Sequence, residues 1–115
     1  MQYMLMIYSD EAAQAALSDA DRGQIYAAYN AYTAALRAAD AYVGGNPLQG
    51  ASTAATVKVK DGKTKVQNGP YAESREQLGG YYVIEAKDLD AALAWAAKCP
   101  GASRGTMEVR AVVPM

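Results

Sequence analysis

A long helical stripe is the feature that most constrains the fold of this chain. Ser18 and Asp19 supply the cap and the negative charge that favour a helix start, and the helix is predicted to run from about Asp19 to Asp40. A helix with one apolar face buries that face against another element, so a sheet is expected beneath it. The predicted core stripe is Ile25, Tyr29, Tyr32, Leu36 and Ala39, and the polar residues Arg22, Asn30, Thr33 and Arg37 fall largely on other faces.

Short apolar or alternating runs supply the strands of that sheet. The run from Gln2 to Tyr8 is too short for a helix and is predicted to be a buried strand. Alternating residues on either side of Asp61-Gly62 predict a β-hairpin with its lysines facing solvent. Further strands are predicted over Tyr81 to Ala86 and Thr106 to Val113, and the breaker-rich stretch from Ala41 to Gly50 is predicted to be a connection.

The order of these elements defines the fold class. A second helix is predicted to start after Asp88 and to end at Pro100-Gly101. The order is then strand, helix, hairpin, strand, helix, strand, and both helices need the same apolar support. At 115 residues the chain has room for one hydrophobic core. We therefore predict a single α+β domain over residues 1–115, ferredoxin-like, with an antiparallel sheet and two helices on one face.

The stretch NGPYAESREQLGGYYV, residues 68–83, is dense in residues with special backbone properties and is the candidate site. Gly69-Pro70 ends the pairing of the incoming strand, because proline cannot donate to a ladder. Ser74-x-x-Gln77 has the form of a capping box, which predicts one helical turn over Ser74 to Leu78. Gly79-Gly80 then lead into the next strand and allow another group to approach the backbone closely.

Composition excludes several classes of function. The net charge of −1, with lysines and arginines scattered along the chain, offers no footprint for nucleic acid. No apolar run approaches the length of a membrane span and the first residues lack the pattern of a secretion signal, so a cytoplasmic protein is expected. The chain has no histidine and one cysteine, which excludes imidazole-based catalysis and predicts neither a metal site nor a cofactor. Cys99 is expected at a helix C-terminus, which disfavours a reactive thiolate.

The segment NGPYAESREQLGGYYVIEAKDLDAALAWAAKCPGASRGTMEVRAV resembles the YCII-related family, in the branch named for an Asp-Gly-Pro-Phe signature. The likeness continues through YMLMIYSDEAA, AALRAADAYVGGNPLQ and ATVKVKDGK, and so covers nearly the whole chain. The resemblance implies a dimeric α+β barrel with a ligand cavity near the dimer interface, and many relatives look like partners of sigma factors. Some distant members are enzymes that use a His-Asp pair, including a dehydrochlorinase. Here Asn68 stands in place of the signature's Asp, Tyr71 in place of its Phe, and no histidine is present.

These observations lead to one main functional hypothesis and two alternatives. We expect a small cytoplasmic homodimer that binds a small molecule near its interface and, as the resemblance implies, acts as an accessory to a sigma-factor stress-regulatory system. One alternative is a lyase or isomerase on a small aromatic substrate, with Glu73, Glu76 or Glu108 as base and Arg110 or Tyr71 stabilising negative charge. The other is a protein-interaction module without a ligand. The pocket candidates are Asn68, Gly69, Pro70, Tyr71, Glu73, Glu76, Gly79, Gly80, Tyr81, Glu108 and Arg110.

The same residues also have plain structural interpretations. Residues 68–83 fit an ordinary crossover loop. Glu85, Glu108 and Arg110 are predicted on the sheet face away from the helices, where an ion pair between strands or between subunits is the simpler interpretation. The tyrosines divide into core candidates, Tyr29, Tyr32 and Tyr82, and pocket candidates, Tyr71 and Tyr81.

Overall fold

The computed structural model of the chain describes all of residues 1–115. Its strands are β1 (Gln2–Ser9), β2 (Tyr42–Pro47), β3 (Ala55–Lys60), β4 (Lys63–Asn68), β5 (Gln77–Glu85) and β6 (Thr106–Ala111). Its helices are α1 (Glu11–Ala15), α2 (Asp19–Ala38), α3 (Leu89–Lys98) and α4 (Pro100–Arg104), and a single 3₁₀ turn covers Ala51–Thr53. None of the helices combines the length and the hydropathy that a membrane span requires.

Four strands form one antiparallel sheet in the order β2-β5-β1-β6. Every second residue of β1 is buried, because successive side chains of a strand point to opposite faces. Tyr3, Leu5 and Ile7 pack with residues of α2 and α3 in one cluster, and Met4 and Met6 lie on the other face, which no helix covers. The predicted α+β fold with an antiparallel sheet and both long helices on one face is confirmed. The uncovered side is called the open face below.

The core lies between this sheet and the two long helices. Leu5, Leu36 and Ile84 have no exposed surface. Tyr32 packs edge-on against Tyr82 and Trp95, with ring centroids 5.3 Å and 6.1 Å away, and its hydroxyl donates to the Trp95 carbonyl at 2.7 Å. The buried cluster is Tyr3, Leu5, Ile7, Tyr32, Leu36, Ala41, Ile84, Ala92, Ala96 and Cys99.

Helix α2 begins where the sequence predicts and ends two residues early. The Ser18 hydroxyl accepts a hydrogen bond from the amide of Asp21 at 3.1 Å, which confirms the predicted cap. The helix stops at Ala38 because Asp40 has a φ of 55° and turns the chain toward β2. Ala39 is exposed, so its assignment to the core is wrong.

The prediction of a plain connection from Ala41 to Gly50 is also wrong, since this stretch contains strand β2. Its backbone pairs with β5 along the edge of the sheet, with an irregularity between Tyr42 and Gly44. An edge strand tolerates the glycines, and Pro47 at its end needs no ladder donor. Residue types that normally interrupt a strand are therefore accommodated by its place at the edge.

The predicted helical turn over Ser74 to Leu78 does not form. Strand β5 begins at Gln77, four residues before the predicted start at Tyr81, and pairs there with β1. The Ser74 hydroxyl donates to the carbonyl of Glu76 instead of accepting from a helix amide. The backbone ladder to β1 thus replaces the local cap.

The second long helix is capped by Asp88, whose carboxylate accepts from the amide of Ala91 at 2.9 Å as predicted. It ends at Lys98, but Pro100 then opens the short helix α4 instead of a plain loop. Cys99 lies buried between the two helices, and burial raises the pKa of its thiol. An unreactive cysteine is consistent with both observations.

Strands β3 and β4 form a separate two-stranded sheet, which confirms the predicted hairpin. Asp61 and Gly62 have φ values of 54° and 74°, as a tight hairpin turn requires. Every strand residue of the hairpin except Thr56 is exposed. With the hairpin spread beside the main sheet, the molecule measures 48 × 43 × 18 Å and is flat.

Candidate functional site

A cavity of about 580 Å³ lies between helix α2 and the edge of the sheet formed by β2 and β5. The N-terminal half of α2 forms its roof, the sheet forms its floor, and α1 with the link to α2 closes one side. Sites for small molecules in proteins usually measure about 300–1,000 Å³. The cavity is therefore large enough for a ligand with one ring and several substituents.

Glycines make the floor of this cavity. Gly45 pairs with Tyr82 and Gly80 pairs with Ile7, so both glycines belong to the helix side of the sheet. A Cβ on Gly45 would lie 2.7 Å from the carbonyl oxygen of Tyr81 and 3.0 Å from the Tyr82 ring. No side chain rises from the floor at these positions, so space remains beneath α2. At Gly80 the neighbouring strand comes close, since a Cβ there would lie 3.2 Å from the Asn46 carbonyl oxygen, and the approach of a ligand or another chain to Gly79-Gly80 stays a prediction.

The roof is one stripe of helix α2. Arg22, Tyr26, Tyr29 and Thr33 recur three or four positions apart and line the cavity together. Tyr29 was expected in the core, and it is half-buried at the boundary between the core and the cavity. The polar residues of the stripe were expected merely to face away from the core, and they face the cavity.

A chain of hydroxyl groups crosses the inner end of the cavity. The Thr33 hydroxyl donates to the carbonyl of Tyr29 at 3.0 Å and lies 2.8 Å from the hydroxyl oxygen of Tyr82. Because a hydroxyl carries one proton, Tyr82 is the donor in the second contact and keeps its lone pairs as acceptors. Burial raises the pKa values of Tyr29 and Tyr82, so both phenols are protonated at neutral pH.

Arg22 lies at the mouth of the cavity. One guanidinium nitrogen donates to the carbonyl of Ala15 at 2.8 Å, and another lies 3.5 Å from the Asp19 carboxylate. The guanidinium has five N–H donors, so donors remain for an oxygen atom or an anionic group at the mouth. Asn30 also belongs to the lining, which contains no carboxylate.

The predicted site residues divide between this cavity and other parts of the surface. Gly79, Gly80 and Tyr81 border the cavity, but the pairing of Tyr81 with Met6 puts its side chain on the open face, where its hydroxyl accepts from the Asn46 amide at 3.1 Å. Tyr71 is 86% exposed and lies outside it. Pro70 and Glu73 line a separate recess of about 380 Å³ beside the start of α1. Asn68 is the exposed last residue of β4, and Gly69 follows it with a φ of 103°.

The predicted charged residues lie on or near β6 and away from the cavity. The Glu76 carboxylate accepts from the hydroxyl of Thr106 at 2.7 Å. Glu108 and Arg110 pair with Met6 and Met4 of β1, which puts both on the open face as predicted. No ion pair joins Glu85, Glu108 and Arg110 within one chain.

The sequence analysis assigned no site role to α2. The signal was present, because Arg22, Tyr26, Tyr29 and Thr33 share a helical stripe that carries both aromatic rings and polar groups. When a stripe of mixed aromatic and polar residues lies beside an apolar stripe, the helix packs against the core with its apolar face and borders a cavity with the adjacent mixed face. The breaker-dense stretch 68–83 pointed to glycines of the cavity floor, and it carries no information on the α2 residues that form the roof.

Known proteins similar to this chain were found by sequence and by structure. A family model for the YCII-related domain matches residues 1–115. An uncharacterized protein from Rhizobium meliloti (strain 1021) is 33% identical over 112 residues, which are 96% of this chain and 90% of that protein.

A solved structure with a similar fold is that of 5-chloro-2-hydroxyhydroquinone dehydrochlorinase from Burkholderia phenoliruptrix, in complex with 2,5-dihydroxybenzoquinone. The superposition has a TM-score of 0.59 at 17% sequence identity, and it covers 98% of this chain and 94% of that one. At this identity the likeness establishes the fold alone. It supports the ferredoxin-like architecture described above.

Proposed function

This chain belongs to the YCII-related domain family, and from that premise we propose that it binds a small ring compound with oxygen substituents in the cavity beneath α2. The observation that carries the proposal is the composition of that cavity, in which tyrosine rings and hydroxyls surround a floor of glycine. A flat ring fits between the floor and the roof, because glycine lets it approach the backbone. The edges of the ring would meet the polar groups.

The polar groups of the cavity suit a phenol, a quinone or a related acid. Tyr29 and Tyr82 stay protonated, so a ligand oxygen finds neutral hydrogen-bond partners and no buried charge. Arg22 at the mouth has free donors for a carboxylate or a phenolate. The neighbouring dehydrochlorinase was solved with 2,5-dihydroxybenzoquinone, a compound of this class. This ligand is the first probe to test.

Binding without catalysis fits the cavity better than acid/base chemistry does. The lining has no carboxylate, and the chain has no histidine. Glu73, Glu76 and Glu108, the bases considered from the sequence, lie elsewhere on the surface. A raised pKa keeps a phenol protonated at neutral pH, so it can donate a hydrogen bond but does not act as a general base.

A second candidate function is a lyase on a chlorinated or hydroxylated aromatic compound. It is favoured by the activity of the structural neighbour, which its description names as a dehydrochlorinase. In this chain Glu73 or Glu108 would have to reach the substrate from another subunit or after a rearrangement. Chloride release from 5-chloro-2-hydroxyhydroquinone, followed with an ion electrode, tests this candidate directly.

The biological setting follows from the family resemblance. We propose that the domain is a cytoplasmic homodimer whose interface and cavity lie close together on opposite sides of one sheet, and that the protein acts as an accessory in a sigma-factor stress-regulatory system. The open face of the sheet supports the dimer, because it carries Met4, Met6 and Val83 without a covering layer. A protein-interaction module without a ligand would leave the cavity empty in every binding assay.

Isothermal titration of the purified protein with 2,5-dihydroxybenzoquinone tests the binding proposal. Ile25→Trp fills the roof of the cavity and is expected to abolish binding. Leu93→Trp places the same side chain on the 45% exposed surface of α3 and is expected to leave binding unchanged. Thr33→Val removes one hydroxyl and is expected to weaken binding by about tenfold.

The controls decide how each result is understood. Thermal unfolding of every variant verifies that it is folded before it is titrated. Equal binding by Ile25→Trp and Leu93→Trp would show that the ligand occupies another place. No binding of any dihydroxybenzene, quinone or hydroxybenzoate by the wild-type protein would contradict the proposal for this class of ligand.

A further inference from the structure

The β3–β4 hairpin has two chemically different sides. Val57 pairs with Val66, and together with Val59 they form a valine strip on one side. Lys58 pairs with Lys65 and Lys60 pairs with Lys63, so four lysines share the other side. The valines are 62%, 65% and 62% exposed for Val57, Val59 and Val66, so nothing in this chain covers the strip.

A hairpin of this kind is poorly supported as a free structure. A lone two-stranded hairpin is marginally stable in water, and directly opposed like charges destabilise it further. Its only anchors are at the base, where the amide of Gly69 donates to the carbonyl of Ala54 and the Thr56 hydroxyl donates to the carbonyl of Gly69. The hairpin therefore gains stability if its valine strip is covered by another molecule.

Charge indicates what that molecule is. The hairpin carries four lysines and Asp61, a net charge of +3, and the whole chain carries −1, so the remainder carries −4. The body of a second copy is thus oppositely charged to the hairpin, which favours and orients their encounter. The same body also has an uncovered surface, the open face, where the apolar residues Met4, Met6 and Val83 lie beside Glu108 and Arg110.

We propose that the hairpin is an arm that clasps a second copy of this chain, with its valine strip against the open side of the partner's sheet. Two-fold symmetry makes the contact reciprocal, so each copy gives one arm and receives one. The lysines lie on the other side of the arm, and their long flexible side chains bend past its edges to carboxylates of the partner's body. The inference rests on the homodimer proposed above and assigns the element that holds it together.

The available area is adequate for such a contact. Strands about 4.8 Å apart and about 3.3 Å long per residue give the four-stranded face a projected area of roughly 400 Å². One side of the hairpin measures roughly 200 Å² by the same spacing, and the arm covers about that much of the partner's open face. Because each copy gives one arm and receives one, each buries roughly 400 Å² in projection. Side-chain relief raises the accessible area above this projection, toward the roughly 800 Å² per partner that stable interfaces bury.

Sedimentation velocity over a range of concentrations measures the effect of the valine strip. The double variant Val57→Thr/Val66→Thr keeps β-branched residues, so the hairpin retains its strand propensity. It is expected to weaken the dimer by about a hundredfold, since a symmetric dimer loses four buried valines. Val113→Thr makes the same change at a 71% exposed valine outside the hairpin and outside the strands of the sheet, and is expected to leave the dimer unchanged.

Cross-linking of mixed nitrogen-14 and nitrogen-15 protein locates the arm. A zero-length carbodiimide joins lysine to carboxylate, and a peptide pair with both isotopes comes from two different chains. Mixed pairs are expected between the lysines of the hairpin and carboxylates of the partner's body. A second variant, in which a short Gly-Ser turn replaces residues 56–67, is expected to lose both the dimer and these pairs while the four-stranded sheet stays folded.

The following outcomes would contradict the proposed role of the hairpin. A dimer that is indifferent to the valine substitutions, or that gives no mixed pair from the hairpin, shows that the hairpin does not hold it, and the proposed dimer survives. A monomer at every concentration overturns the arm and the homodimer together. Binding of a 20-base-pair DNA duplex that is lost with the hairpin would assign the lysines to a polyanion instead.

Discussion

From Ala31 to Ala38 helix α2 buries Tyr32 and Leu36 in the core, whereas from Asp19 to Asn30 the same helix spans a cavity. The two halves have similar helical spacing of aromatic and aliphatic residues. What differs is the sheet below them, because the C-terminal half meets Leu5 and Ile84 and the N-terminal half lies over glycines. An amphipathic stripe therefore becomes core or cavity wall according to the volume of the residues opposite it.

The largest contrast between the halves is expected from aliphatic truncation. Leu36→Ala removes a fully buried side chain and should lower the free energy of unfolding by about 2–5 kcal/mol. Ile25→Ala, on a half-buried residue beside an existing cavity, should lower it by about 1 kcal/mol. Urea unfolding followed by circular dichroism measures both. Equal losses would mean that the N-terminal half is packed as tightly as the C-terminal half.

A smaller contrast is expected from the loss of one hydroxyl. Tyr32→Phe leaves the Trp95 carbonyl without its side-chain donor and should reduce the free energy of unfolding by about 1–3 kcal/mol. Tyr26→Phe, at a 73% exposed ring near the mouth of the cavity, should change it by less than about 0.5 kcal/mol. The same urea titration compares the two. If Tyr26→Phe lowered the free energy of unfolding as much as Tyr32→Phe, the two halves of α2 would not differ in how their hydroxyl groups stabilise the fold.

Alkaline pH is expected to destabilise the fold through its buried acids. Burial raises the pKa values of Tyr29, Tyr32 and Cys99 above their ordinary values of 10.0, 10.0 and 9.0. The unfolded chain therefore loses these protons first, so stability is complete below about pH 9 and falls as the pH rises further. Each proton contributes up to about 1.4 kcal/mol per pH unit.

Unfolding at pH 8, 10 and 11 measures this slope. Tyr32→Phe removes one of the groups with a raised pKa, so its stability should fall less steeply with pH than that of the wild type. The exposed Tyr26 provides the control, and Tyr26→Phe should leave the slope unchanged. Identical slopes for wild type and Tyr32→Phe would show that this phenol is not held protonated by the core.

The smallest effect is expected at the N-terminus of α2, where the roof of the cavity begins. Ser18→Ala removes the acceptor for the amide of Asp21 and should cost about 1 kcal/mol of unfolding free energy. Because the first turn covers the cavity, hydrogen exchange should rise there and stay unchanged around Leu36. Ser52→Ala, at an exposed serine, is the matched control. Faster exchange near Leu36 would indicate that the two halves open together.

Sequence reasoning predicted the main elements where the periodicity was strong. The buried strand β1, the start of α2, the hairpin turn at Asp61-Gly62 and the cap at Asp88 are confirmed. It failed at β2, because pairing with β5 overrides the turn preference of Gly44 and Pro47 at a sheet edge. It failed at Ser74 for the same reason, since a ladder between distant segments has no local signal.

The candidate site was predictable only in part. Gly79 and Gly80 were singled out because glycines permit a close approach, and they lie in the lining of the cavity. The roof residues Arg22 and Thr33 were not, because the register between α2 and the glycine floor depends on the whole fold. Tyr71 was weighted by its place in a family signature, and a signature residue need not lie beside the cavity under α2.

The packing of Trp95 against Tyr32 makes the molecule its own optical reporter. Trp95 is the only tryptophan of the chain, and its ring lies in the core half with the Lys98 ammonium 5.0 Å from the ring centre. Tyr82 connects Tyr32 to the cavity. Excitation energy absorbed by the cavity tyrosines can therefore pass to Trp95, and a ligand that absorbs where tryptophan emits would quench its fluorescence. Ligand binding in the cavity and unfolding of the core around Trp95 can therefore both be followed in one emission spectrum, without an added label.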